Sequence, residues 1–103
     1  MKTPRDCESL QDIRAEIDGI DHEIITALGR RFAYVKAAAA FKTSETSVHA
    51  PERVASMVEQ RRRWAEQEGL NPDAIERMFR DLVAYFTAAE LSHYQDSGND
   101  NRA

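Results

Sequence analysis

The most constraining feature of the sequence is an apolar stripe that runs through its first two fifths. Residues spaced by three and four positions are almost all apolar there, and no proline occurs between Ser9 and Lys42. The apolar members of the stripe are Leu10, Ile13, Ile17, Ile20, Ile24, Leu28, Val35 and Ala38. This spacing places them on one face of an α-helix. The sequence therefore predicts a helix over about 9–42, with Ser9 as its cap.

The rest of the sequence predicts two shorter helices. Pro51 follows a polar segment and suits the first turn of a helix, whereas Gly69 suits a helix end. Asn71 is a favourable cap for a third helix, and no segment alternates with the period of two that strands require. The predicted organisation is one all-α domain over 1–103, with helices at about 9–42, 51–68 and 72–96, a loop at 43–50 and a frayed tail at 97–103.

The predicted first helix is long for a domain of this size. About 34 residues span about 50 Å, whereas a compact domain of about 100 residues has a radius of gyration of about 13 Å. Two shorter helices cannot cover the whole stripe, so a second copy is the economical partner. We expect an intertwined homodimer of three-helix protomers. A kink at Gly29 would weaken this expectation.

Composition excludes several functions. Hydrophobic residues make up 42% and charged residues 31% of the chain, and the net charge is −4. An acidic balance disfavours binding to nucleic acid or to an acidic membrane. No apolar run approaches the length of a membrane span or of a signal peptide, and Cys7 is the sole cysteine. We expect a cytoplasmic protein without a disulfide.

Two cations interrupt the apolar stripe of the first helix. Arg31 and Lys42 are three turns apart and therefore share its face. An ordinary structural interpretation exists for each of them: Lys42 extends to water from a helix end, and Arg31 pairs with Glu23 or Asp81.

The third helix carries an anomaly of the opposite sign. Its apolar stripe consists of Ile75, Phe79, Leu82 and Phe86. The next step of four lands on Glu90, which either faces the core or reaches water at the edge of the stripe. Core-facing cations together with a core-facing acid favour a polar cavity, and Arg14 borders the stripe of the first helix. Several cations in one cavity suit a small ligand with more than one carboxylate.

Other chemistries find little support in the sequence. The three histidines, at positions 22, 49 and 93, lack metal-ligand spacing, and no phosphate loop or nucleophile motif occurs. The run Arg61–Arg63 covers three helix faces, which predicts a mostly solvated surface and only weakly suggests a phosphate-binding patch. Trp64 and Met57 are interpreted as core residues.

Several stretches of this chain resemble one enzyme family. These stretches are MKTPRDC, DIRAEID, ALGRRFAYVKAAAAFK, APERV and RRWAEQEGL. They are similar to the all-helical chorismate mutase family, and within it to the isochorismate pyruvate-lyases of bacterial salicylate and siderophore biosynthesis. The resemblance extends from the first residue to about Tyr94. It implies an intertwined dimer with two active sites and no cofactor or metal.

The resemblance also implies a role for particular residues. Arg14 would enter the neighbouring subunit's site and bind one substrate carboxylate, and Arg31 would bind another. Lys42 would lie beside the ether oxygen of the substrate, next to a loop that closes over it. Arg53 is a further possible anion contact. Position 90 departs from the lyase pattern, because the family's lyases carry glutamine where Glu90 matches a variant found in some chorismate mutases.

The implied reaction converts isochorismate to salicylate and pyruvate by a concerted pericyclic hydrogen transfer, together with weak chorismate mutase activity. The alternative is a chorismate mutase that converts chorismate to prephenate. A third hypothesis is a non-catalytic helical dimerisation module, which would not require charges on its core face. In both enzyme hypotheses the partner is a small dianionic substrate.

Overall fold

A computed structural model of the chain describes the backbone of residues 1–41 and 50–100 and the side chains of 1–41 and 50–92. Within these residues the protein is helical and has no strand. The predicted all-α class is therefore confirmed. In chain order the elements are a 3-10 turn Pro4–Asp6, helix α1 Leu10–Ala38, a 3-10 turn Ala39–Phe41, helix α2 Pro51–Gln67 and helix α3 Pro72–Asp100.

Helix α1 begins at a cap made by Ser9. The backbone N–H of Asp12 donates to Ser9 Oγ at 3.0 Å. The carboxylate of Asp12 accepts from the backbone N–H of Glu8 at 3.0 Å and from Lys2 Nζ at 3.1 Å. These two hydrogen bonds, the one from Glu8 foremost, lower the pKa of Asp12 below its usual value. Through these hydrogen bonds, the side chain of Asp12 connects the N-terminal segment to the first turn of α1.

The far end of α1 differs from the prediction. The helix passes through Gly29 without a break, but it ends as an α-helix at Ala38 and continues as a 3-10 turn to Phe41. Tightening of the last turn into 3-10 geometry is common at helix ends, because it satisfies carbonyl groups that have no partner further along the helix. Lys42 lies outside the described residues.

The turn between α2 and α3 has the geometry that its sequence predicts. Gly69 has a positive φ of 74°, and its N–H donates to the carbonyl of Glu66 while the N–H of Leu70 donates to that of Ala65. This pair of hydrogen bonds is a Schellman motif, which glycine accommodates without strain. Asn71 Oδ1 then accepts from the N–H of Ala74 and caps α3. Helix α3 continues to Asp100, beyond the predicted end near 96, because no proline interrupts it.

The chain consists of two compact units, Met1–Tyr34 and Val35–Ala103. In the second unit, α3 packs against both α2 and the 3-10 turn Ala39–Phe41. The buried apolar residues of this unit are Ala39, Met57, Val58, Ala65 and Phe86. The interpretation of Met57 as a core residue is confirmed. Trp64 is 47% exposed, so the same interpretation is wrong for it.

Trp64 instead forms part of a surface stack. The guanidinium carbon of Arg61 lies 4.8 Å from the centre of the Trp64 ring and 5.8 Å from that of Phe79. A guanidinium over an aromatic face is attractive, and it links α2 to α3 through side chains at the edge of the core. The Trp64 ring therefore stacks against a cation, while nearly half of the residue remains exposed.

A chain of ion pairs also links α2 to α3. Arg62 donates to Asp73 at 2.9 Å and to Glu76 at 2.8 Å, while Arg80 Nε donates to Glu76 at 2.7 Å. The sequence predicts that the Arg61–Arg63 run is mostly a solvated surface, whereas the side chain of Arg62 is 30% exposed and pairs with two acids of α3. Sequence periodicity missed this role because the acidic partners of Arg62 come from the next helix.

We predict that Glu76→Gln lowers the melting temperature at neutral pH by about 2 °C, because a partly exposed ion-pair network has a small effect. The hydrogen bond from Arg80, with a further one from Arg62, lowers the pKa of Glu76 despite partial burial. A carboxyl group whose pKa is lower in the folded state stabilises the fold at pH values above its unfolded-state pKa. This stabilisation is lost as the pH falls through the folded-state pKa. The melting temperatures of the wild type and of Glu76→Gln should therefore differ at pH 7, and this difference should shrink as the pH falls into the acidic range.

The control for this measurement is Glu59→Gln, which removes the longer and more exposed 3.7 Å pair with Arg63. We expect no measurable change in melting temperature for it. Equal effects of the two substitutions, or an effect of Glu76→Gln that does not shrink at acidic pH, would contradict the ion-pair explanation.

The first unit leaves the apolar stripe of α1 exposed. The side chains of Leu10, Ile13, Ile17, Ile20 and Ile24 are between 41% and 58% exposed, and α1 contains no buried residue. Contiguous apolar surface of this extent is typical of an interaction face. Among the described residues, no helix is both long and apolar enough to cross a membrane.

Candidate active site

Glu90 is a buried acid on the core face of α3. Only 6% of the residue is exposed, and it follows Phe86 by one helical turn, as the stripe predicts. Its Oε1 atom is buried and accepts no hydrogen bond within the described part of the chain. The alternative that Glu90 reaches water at the helix edge is therefore wrong.

A buried carboxyl oxygen without a partner is energetically costly. Leaving such a group unsatisfied costs about 1–3 kcal/mol, and more when the group is charged. Native proteins rarely retain this cost without a reason, and a bound ligand or another chain can supply the missing partner. Glu90 is thus the described residue with the clearest sign of a functional site.

Arg14 and Arg31 both lie on α1, in the first unit. Arg14 is exposed, and Arg31 is half-buried and takes part in an interaction within the protein. The two residues are 17 positions apart, which corresponds to about 25 Å along the helix. A small dianion cannot contact both arginines of one α1 helix. They can act on one substrate only if each comes from a different copy of the chain.

The two remaining cations of the predicted site give less structural information. Lys42 and the loop predicted at 43–50 fall outside the described residues, apart from Ala50. Arg53 is exposed in the first turn of α2. Ala50, which precedes that helix, adopts a left-handed backbone conformation with a φ of 41°. This conformation is uncommon for alanine.

A groove of about 400 Å³ lies between α2 and α3 in the second unit. It is lined by Val54, Arg80, Val83, Ala84, Thr87, Ala88 and Leu91. Its volume falls in the range of small-molecule sites, which are largely apolar with a few polar groups that fix orientation. Thr87 and Leu91 flank Glu90 along α3, so the groove follows the same stretch of helix as the buried acid.

Sequence reasoning missed this groove. It treated α3 as one stripe that ends at Glu90, whereas Val83, Thr87 and Leu91 form a second row at intervals of four. The hydroxyl of Thr87 within that row was the available signal, because the other members of the row are apolar. Glu76 and Arg80 are also four residues apart, so their ion pair was indicated by the sequence spacing as well.

No metal centre is present among the residues that the structure describes, since no three histidine, cysteine or acidic side chains come together there. Cys7 is a free thiol. His22 is exposed on α1, and His49 and His93 lie among residues whose side chains are not described.

Comparison with known proteins identifies the family of this chain. A family profile described as chorismate mutase type II matches residues 13–91. The matched segment contains Arg14, Arg31, Lys42, Arg53 and Glu90. The chain belongs to the chorismate mutase type II family.

Among individual proteins, an isochorismate pyruvate lyase from Pseudomonas aeruginosa is 47% identical over 97 residues, which cover 94% of this chain and 96% of that protein. The T-proteins of Haemophilus influenzae and Enterobacter agglomerans are 36% and 35% identical over 77 and 75 residues. These segments cover 74% and 72% of this chain but only 20% of each T-protein. Similarity to the lyase therefore extends over nearly the full length of both chains, whereas that to the T-proteins covers a small part of them.

Proposed function

We propose that this protein is an isochorismate pyruvate-lyase that converts isochorismate to salicylate and pyruvate and also has weak chorismate mutase activity. The observation that carries this proposal is the 47% identity to a lyase across nearly the whole of both chains. The buried Glu90, unsatisfied within the described residues, supports an internal polar site rather than a plain dimerisation surface.

The proposed reaction is a single concerted rearrangement. The carbon–oxygen bond between the ring and the enolpyruvyl group breaks while a ring hydrogen moves to the methylene carbon of that group. The ring becomes aromatic salicylate and the departing fragment becomes pyruvate, so atoms and electrons balance without a redox partner. The protein has two tasks: to hold a flexible dianion in a reactive conformer and to stabilise negative charge on the ether oxygen.

The residues of the proposed site divide between these tasks. Arg31 of one chain and Arg14 of the other bind the two carboxylates, as the separation of about 25 Å along α1 requires them to come from different copies. Lys42 lies beside the ether oxygen and stabilises its growing charge. Glu90, as a neutral acid, donates a hydrogen bond to the same oxygen.

The decisive experiment supplies purified protein with isochorismate and with chorismate in separate reactions. Salicylate fluorescence reports the lyase activity, and absorbance reports prephenate formation. We expect rapid release of salicylate and much slower formation of prephenate. Prephenate without salicylate would favour the alternative, a chorismate mutase, for which the family description and the acid at position 90 are the supporting observations. If neither product forms, both enzyme proposals are wrong.

We predict a stable homodimer in solution, because the stripe of α1 is exposed in the single chain and needs a partner. Sedimentation equilibrium at low micromolar concentration should give a mass near twice 11.7 kDa. Substitution of Ile17 and Ile24 by glutamate should break the dimer and abolish activity. A folded, active monomer would contradict both the dimer and the shared site.

Mixed dimers test the sharing of residues between chains. We predict that inactive Arg14→Ala chains and inactive Lys42→Ala chains recover about a quarter of wild-type activity when they are mixed. Random assortment makes half of the dimers mixed, and each mixed dimer has one intact site of two. Activity is measured after unfolding and refolding the mixture together.

The matched control for this experiment is a mixture of Arg31→Ala with Lys42→Ala. These residues serve the same site from the same chain, so every site in a mixed dimer carries one lesion and no activity should return. Recovery in the control mixture, or none in the Arg14 mixture after proven exchange, would contradict the proposed division of the site.

A further inference from the structure

The groove between α2 and α3 carries a polar group that the proposed mechanism does not use. Most of its lining is aliphatic, and Thr87 contributes the one hydroxyl. Arg80 lies at the same groove, but its guanidinium is engaged by Glu76 at 2.7 Å. Polar groups in an otherwise apolar site commonly fix the orientation of a ligand.

The positions of these groups along α3 separate their roles. Thr87 precedes Glu90 by three residues, or about 4.5 Å along the helix, whereas Arg80 precedes it by ten residues, or about 15 Å. A substrate held at Glu90 can therefore extend to Thr87 but not to Arg80. The helical periodicity also places Thr87 and Glu90 on adjacent faces, within one turn of each other.

We infer that Thr87 is a specificity-determining residue, whose hydroxyl hydrogen-bonds the ring hydroxyl of the substrate while the aliphatic groove residues pack against the ring. This inference rests on the proposed function. Isochorismate and chorismate are isomers that carry the ether at the same ring position and differ in the positions of the ring hydroxyl and of the ring double bonds. A threonine hydroxyl can donate one hydrogen bond and accept others, so it can pair with a ring hydroxyl of suitable position.

The chemistry of this contact explains how one pocket could favour one isomer. A substrate that presents its ring hydroxyl to Thr87 keeps a hydrogen bond. The other isomer leaves its ring hydroxyl and the hydroxyl of Thr87 unpaired in an apolar groove. Sites built around such a hydrogen bond discriminate more strongly than sites that rely on apolar shape alone. Thr87 would thus act on the choice of substrate, and Lys42 and Glu90 on the reacting oxygen.

The test compares Thr87→Val, which keeps the shape and removes the hydroxyl, with Thr87→Ser, which keeps the hydroxyl. We expect kcat/KM for isochorismate to fall about ten-fold in the valine variant and less than three-fold in the serine variant. With chorismate, the valine variant should change less than two-fold. Thr26→Val, an exposed threonine on α1, is the control for the same chemical change and should leave both substrates unaffected.

Equal losses with both substrates, or no loss in the valine variant, would overturn the inference. Wild-type product formation decides the proposed function independently of the variants. If the wild type forms no salicylate, calorimetric Kd values for isochorismate still decide the role of Thr87, because a lost hydrogen bond weakens binding in Thr87→Val but not in Thr26→Val. Thermal melts of each variant exclude loss of folding as the cause.

Discussion

Replacement of Lys42 by alanine is expected to lower the turnover of isochorismate about a hundred-fold or more while KM changes little. The reason is that the ether oxygen carries little charge in the bound substrate and much more in the transition state. In the proposed site the ammonium of Lys42 lies beside this oxygen and therefore stabilises chiefly the transition state. Loss of one such group commonly costs about 10²–10³ in rate. Steady-state kinetics with isochorismate measure both parameters.

Two further variants sharpen this prediction. Lys42→Arg should also be impaired, because a planar guanidinium cannot occupy the place of a compact ammonium. Lys36→Ala removes an exposed lysine from α1 and serves as the charge-matched control, for which turnover should stay near the wild-type value. A Lys42→Ala enzyme with nearly normal turnover would assign charge stabilisation to another residue.

Local sequence signals were sufficient for much of the fold. Gly69 and Asn71 predicted the turn between α2 and α3, because a Schellman motif and an asparagine cap depend on residues within one turn of each other. Ser9 predicted the start of α1 for the same reason. The spacing of four from Phe86 predicted that Glu90 lies on the core face of α3.

Features that depend on two helices were not predictable from periodicity. Arg62 binds acids on α3, and Arg61 stacks on both Trp64 of α2 and Phe79 of α3, although these arginines were assigned from their own helix alone. The groove along Thr87 likewise requires Val54 of α2 as its opposite wall. The roles of Arg14, Arg31 and Lys42 remain proposals, because a site that needs two copies of the chain is not contained in one helix or one unit.

The chemistry proposed for Glu90 depends on its protonation state. A hydrogen bond to the ether oxygen requires a donor, and a carboxylic acid or an amide can donate whereas a carboxylate only accepts. We propose that Glu90 acts in the substrate complex as a carboxylic acid, which makes it a donor to this oxygen.

The proposed donor role predicts that turnover of the wild type falls at higher pH, because only the protonated carboxyl group can donate. Glu90→Gln keeps a donor of similar size at all pH values. It should flatten the profile and raise turnover at alkaline pH above that of the wild type.

The measurement is kcat against pH for both enzymes, with circular dichroism at each point to exclude unfolding. Glu76→Gln, which changes an acid on α3 outside the proposed site, is the control and should keep the wild-type profile. A wild type without an alkaline decline, or a glutamine variant that retains it, would show that Glu90 is not the donor to the ether oxygen. The buried Oε1 would then need another explanation, because it has no hydrogen-bond partner among the described residues.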